Sequence, residues 1–179
     1  TAENGTIITS AISTDLKNLD LTNSNIFINQ NGFTAKDVIM NGSSSLNVMN
    51  GTITDNSIGN LEISEGSTGN FSIDISARDW ESDSFITSSI SNTGTVNISD
   101  FQFVNKCPID RYISLKVFDS FGSLDDVDFT ATDKEVFTPI GYYKLLSQGG
   151  GEYKAALTRY NPQVFRGQVA TVANYQNQL

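Results

Sequence analysis

Asp79, Glu81 and Asp83 place three carboxylates within five residues, enough oxygen to invite a calcium ion or a paired-carboxylate active centre. The order Asp-x-Asp-x-Asp-Gly with a distal glutamate is absent, which excludes an EF-hand. The plainer reading is a solvated loop between strands. Asp125, Asp126 and Asp128 form a second acidic stretch with the same two readings, and again the surface loop is the simpler. Trp80 can stack on a sugar ring or close over the core beside the acidic loop, and the second is the expectation. Cys107, followed by Pro108, has no base near it in sequence and reads as an inert thiol. The chain contains no histidine, which removes Ser-His-Asp hydrolysis, Cys-His proteolysis and nearly every common zinc site. No catalytic, cofactor-binding or metal-binding residue is therefore assigned, and no cofactor is expected.

Two further motifs invite chemistry and do not sustain it. Asn4, Asn41, Asn50, Asn70 and Asn97 each open an Asn-x-Ser/Thr tripeptide, which a chain this rich in Asn, Ser and Thr produces by chance. Gly149-Gly150-Gly151 lacks the strand–loop–helix frame and lysine of a phosphate loop, and reads as a hinge.

The elements that hold these residues follow from composition and rhythm. The hydrophobic share is 38%, below the roughly 45–50% of a globular domain, and only 17% of residues are charged. What remains is largely Asn, Ser, Thr and Gly, a composition suited to a thin protein with a narrow core and many turns. A net charge of −9 and a pI near 4.3 leave nothing to neutralise phosphates, so nucleic acid is excluded as a partner. One cysteine allows no internal disulfide. No apolar run approaches the ~20 residues of a membrane helix, and no signal peptide opens the chain.

Apolar-polar-apolar triplets recur through the first half: Leu19-Asp20-Leu21, Ile26-Phe27-Ile28, Leu46-Asn47-Val48, Leu61-Glu62-Ile63 and Ile73-Asp74-Ile75. Asn23, Asn31-Gly32, Asn41-Gly42, Asn50-Gly51, Asn56 and Gly66 punctuate them as turns. Short strands with Asn-Gly turns fit an antiparallel sandwich of hairpins or a coil of stacked parallel rungs. We favour the coil, a right-handed parallel β-solenoid, by the handedness rule for parallel crossovers. Residues 1–70 read as short rungs. Residues 71–146 read as wider, aromatic-rich rungs ending in a capping hairpin of Glu135–Thr138 and Tyr142–Leu146, closed by Pro139-Ile140-Gly141. Residues 147–179 read as the glycine hinge followed by a helical linker. In it, Glu152–Tyr160 is rich in helix formers, Asn161-Pro162 caps a second helix, and Phe165, Val169, Val172 and Tyr175 make its apolar stripe.

Three blocks in this order resemble the C-terminal part of bacterial autotransporter passengers: Asn70–Ser76 running to Asp83–Thr87, Gly94–Ser99, and Asn161-Pro162 with its polar helix. The resemblance covers roughly Gly69 to Leu179. Two departures stand out, a glutamine after Pro162 where many relatives carry an acid, and no Asn-Asn pair for self-cleavage. The resemblance implies a cell-surface protein attached through its own outer-membrane β-barrel, with a host or surface glycan or protein as ligand. It also implies that the C-terminal rungs, here Phe71 to Leu146, fold first and template the others. The expected function is thus a non-catalytic stem and secretion module. The alternatives are a fragment of a β-helix polysaccharide-degrading enzyme or of a phage tail fibre. Lys17 and Lys36 are the only bases before Arg78, which makes a lyase site in the first half a poor fit.

Overall fold

The computed structural model describes residues 1–5, 7–10, 15–29, 32–91, 94–104 and 111–161. Among them every regular element is a β-strand. Sheet A joins β1 (Ala2–Glu3), β3 (Asp15–Thr22), β5 (Thr34–Asn41), β7 (Asp55–Ile63), β10 (Ser84–Ser91) and β13 (Phe118–Ser120), in that order and all parallel. Sheet B joins β2 (Ile7–Ser10), β4 (Asn25–Ile28), β6 (Ser43–Asn47), β8 (Thr68–Ser76), β11 (Thr95–Phe103) and β14 (Asp128–Ala131), again all parallel. The chain thus visits the two sheets alternately, and each circuit lays one strand on each. The Asn-Gly pairs serve parallel circuits and not antiparallel hairpins. A two-residue strand, β9 (Glu81–Ser82), folds back antiparallel on β8.

Spacing of the apolar residues explains the register. Leu16, Leu19 and Leu21 recur as Ala35, Val38 and Met40, then as Ile58, Leu61 and Ile63, each pairing with its counterpart on the next strand. In sheet B, Ile26, Leu46, Phe71 and Ile98 form one column. Full burial of an aliphatic side chain stabilises by about 1.5–3 kcal/mol, so each circuit contributes through a handful of residues. Polar residues stack outside in the same way. Asn97 donates to Asn70 at 2.8 Å, and Thr130 donates to Asn97 at 3.0 Å. On the other sheet Asn60 donates to Asp37 at 2.7 Å and Ser89 to Asn60 at 2.9 Å.

Turns stack too. Asn23 adopts a left-handed φ of 48° between Asn4 (φ 58°) and Gly42 (φ 63°), and its side-chain oxygen accepts from the Ser43 amide at 3.1 Å. A Cβ on Gly42 would collide with that side chain, so a larger residue there would have to displace Asn23 from its bond to Ser43. Asn56, expected as a turn, instead lies inside β7 and is fully buried. It accepts from the Phe33 amide at 3.3 Å and donates to the Ser84 carbonyl at 3.0 Å, bridging three successive circuits.

Circuits lengthen along the chain, from 19 residues (Ala2 to Leu21) to 33 (Phe85 to Phe118). The longer ones enclose rings. Phe71, Phe85 and Phe118 meet pairwise at 5.0–5.1 Å between centroids, and Phe129 joins Phe118 at 5.6 Å.

Sheet C differs from the other two. Its strands β12 (Tyr112–Lys116), β17 (Glu152–Tyr160), β16 (Gly141–Gly149) and β15 (Glu135–Thr138) are antiparallel. The expected hairpin is β15–β16, with Thr138 facing Gly141 across the turn. The expected hinge and first helical stretch are corrected. Glu152–Tyr160 is a strand, and Gly149–Gly151 is the tight turn that joins it to β16. Tyr153 and Ala155 face inward at period two, and pairing with β12 and β16 satisfies their backbone, which outweighs the helix propensity of Ala155, Ala156 and Leu157. Gly151 accepts from the amides of Val117 and Phe118 at 3.0 and 3.1 Å, tying the turn to β13. Inward side chains Ile113, Leu115, Tyr143, Leu145, Tyr153 and Ala155 join the common core. The second predicted helix, over 163–179, lies outside the described residues, as do Cys107 and Pro108.

Candidate functional site

Alternation along β8 assigns Ile73 and Ile75 to the core and Asp74 to solvent, yet Asp74 is fully buried. The cause is a second layer outside the sheet. After Ser76 the chain turns through Ala77–Trp80 and returns as β9, while the segment between β6 and β7 folds over from the neighbouring circuit. Asp74 organises that segment, accepting from the amides of Asn50 (2.9 Å) and Gly51 (2.7 Å) and from the Gln102 side chain (2.6 Å).

Asp83 completes the layer. It too is fully buried, and its carboxylate accepts from the Thr54 amide (2.8 Å), the Thr54 hydroxyl (3.0 Å) and the Asp74 amide (2.7 Å). Burial pushes its carboxyl up to about 6, against the pull of those donors and with a further push from Asp74. The acidic triplet therefore divides. Asp79 accepts from Ser76 at 2.7 Å on the exposed turn, Glu81 is exposed, and Asp83 is an internal staple and not part of a solvated loop. Its short-range sequence carried no sign of this, because two of the three donors come from Thr54 on the preceding circuit and the third from Asp74.

Trp80 stands on the exposed side of this layer. Expected to cover the core, it is 52% exposed, and its φ of 60° is left-handed, a conformation costing a bulky residue about 1–2 kcal/mol. The ring borders a cleft of about 410 Å³ shared with Asp55, Glu81, Ser82, Ser84 and Lys116. Asp55 accepts from the Ser84 hydroxyl at 2.6 Å. Lys116 lies 2.8 Å from Asp119 and, by its hydrogen bond, holds that carboxyl below its ordinary value. The Ser82 hydroxyl is buried and meets no hydrogen-bond partner among the described residues.

The remaining predicted positions are spread out. Asp125 and Asp126 form an exposed turn in which Asp125 pairs with Ser123, while Asp128 sits in β14 and accepts from Thr95 at 2.9 Å. Asn70 and Asn97 belong to the polar ladder. Among the described residues no group of three His, Cys, Asp or Glu side chains is placed to hold a metal ion, and no helix is long and apolar enough to cross a membrane. A buried and fully used carboxylate pair beside an open aromatic cleft can support structure on one side and ligand contact on the other. Comparison with protein-family models and with curated proteins finds no match.

Proposed function

We propose that the chain is the stem and folding module of a surface-displayed autotransporter passenger, without catalysis of its own. The observation that carries this is the alternation of consecutive strands between two parallel sheets, closed beyond β14 by antiparallel sheet C. Each circuit is a rung of a β-solenoid, coiled right-handed as parallel crossovers almost always are. A rung contacts only its neighbours, so an already folded rung is the template for the next. The aromatic rungs hold the ring cluster of Phe71, Phe85 and Phe118, and folding starts there and runs toward residue 1.

The implied partner is an outer-membrane barrel encoded after Leu179, which would hold the stem at the cell surface. Acidic character keeps nucleic acid off the list of partners. An enzyme built on the same coil needs carboxylates converging in a groove. The buried pair, Asp74 and Asp83, has no exposure and is occupied with backbone amides, and of the two carboxylates in the open cleft Asp55 already accepts from Ser84, which favours the stem. Sequencing past the codon for Leu179 tests the reading. Segments of about ten residues with alternating hydrophobicity, roughly a dozen of them, would support it. A stop codon or a soluble domain there would overturn it and move a tail-fibre segment ahead.

A further inference from the structure

We infer that the Trp80 cleft is a saccharide-binding subsite, taking a neutral pyranose unit of a glycan. Strain, exposure and a polar-rimmed cleft coincide there. A left-handed backbone at a tryptophan opposes the folded state, and such outliers persist where the surroundings fix them and the placement has a use. Here the surroundings are β8, β9 and the Asp83 staple, all within a few residues of the ring. The large, rigid indole is left half in water instead of in the core, where it would stabilise most.

A pyranose matches what the cleft offers. One face of the sugar carries axial C–H groups, which pack on an indole face and bury apolar area without desolvating a hydroxyl. Its equatorial hydroxyls meet acceptors and donors around the rim. Glu81 and Asp55 supply carboxylate oxygens, Lys116 an ammonium, and Ser84 a hydroxyl. Ser82 also lines the cleft, its hydroxyl facing away from solvent. Two carboxylates against one ammonium, on a chain of net charge −9, select a neutral sugar over an acidic one. A cleft of about 410 Å³ is in the size range of small-ligand sites and holds a short stretch of glycan. The inference does not depend on the secretion reading, since a subsite on a tail fibre or a free-standing coil would show the same chemistry.

Trp80 is the single tryptophan of the chain, so its fluorescence reports on this cleft alone. The full chain is titrated with cellotetraose, mannotetraose, chitotetraose and a galactotetraose, following emission and the indole N–H resonance. At least one shifts both signals saturably. Trp80→Gly suits the left-handed backbone, so it keeps or raises the melting temperature while weakening that binding at least roughly tenfold, read by saturation-transfer NMR on the sugar. Glu81→Gln weakens it less. Silence from all four sugars, or binding that survives Trp80→Gly in a folded protein, overturns the assignment.

Discussion

Residues 15–47 and residues 68–131 are built by the same rule, two parallel strands per circuit, and yet they are held together differently. The early circuits need about 19 residues and are filled by Leu19, Leu21, Ile26, Val38 and Met40, with a polar exterior of the kind that the late circuits share. The late ones need up to 33 and gain two things, a four-ring cluster inside and a second layer outside that buries Asp74 and Asp83. Extra residues per circuit thus do not simply loosen the coil. They create interior volume that rings fill and surplus chain that folds back as β9. The late circuits are also backed by sheet C, which packs on β14 through β16. Stability should therefore be graded along the stack.

Phe71→Ala is the largest test of that gradient, because Phe71 touches both Phe85 and Phe118. Loss of a buried phenylalanine costs about 3–5 kcal/mol. Urea unfolding should show that loss across the whole chain, and hydrogen exchange should show amides of β8, β10 and β11 losing protection most. A loss under about 1 kcal/mol, or one confined to β2–β4, would reverse the comparison.

Asp83→Asn tests the outer layer. The amide must point its NH2 group at either the Thr54 or the Asp74 N–H, which should cost about 1–3 kcal/mol. Its pH dependence is more telling. The folded carboxyl titrates near 6 and the unfolded one near 3.8, so the parent's contribution from this group is complete below 3.8 and is lost as pH rises through about 6. That loss is up to about 3 kcal/mol. The asparagine variant cannot titrate here, and the stability gap between parent and variant should shrink from pH 3.5 to pH 7. A gap that widens instead would mean that Asp83 is held ionised by its three donors.

Asn60→Ala is the smallest test, directed at the outer ladder. It removes the hydrogen bonds to Asp37 and Ser89, all on the exposed side, and should lower stability by no more than about 1 kcal/mol. A loss above about 2 kcal/mol in thermal unfolding would show that the middle circuits, from β5 to β10, rely on their polar exterior more than on Val38 and Leu61.

Much of this was legible, and the exceptions share a cause. Triplets such as Leu19-Asp20-Leu21 and Leu61-Glu62-Ile63 named strands correctly, and Glu135–Thr138 with Tyr142–Leu146 gave the hairpin. The fuller motif, apolar at positions one, four and six (Leu16, Leu19, Leu21; Ala35, Val38, Met40; Ile58, Leu61, Ile63), was present but blurred by changing circuit length. Period-two patterning sorts residues between two faces of one sheet. It cannot register chain that folds over the outer face, so Asp74 and Asp83 read as outward, and an inward asparagine such as Asn56 reads as a turn. The Trp80 cleft was half visible, since the residue stood out and its exposure did not. Ala155-Ala156-Leu157 misled because local propensity there is weaker than two flanking strands.

The direction of the inter-strand hydrogen bonds has a mechanical consequence. In sheets A and B, apart from the short β8–β9 pair, they run from one circuit to the next. Tension in that direction loads one ladder at a time, like opening a zipper, and the early circuits peel off singly. In sheet C, strands β16 and β17 share a hairpin turn whose glycine is itself bonded to β13. A pull transmitted through the stack reaches that clasp last, so the molecule would pay out length in circuit-sized steps while its closed end holds.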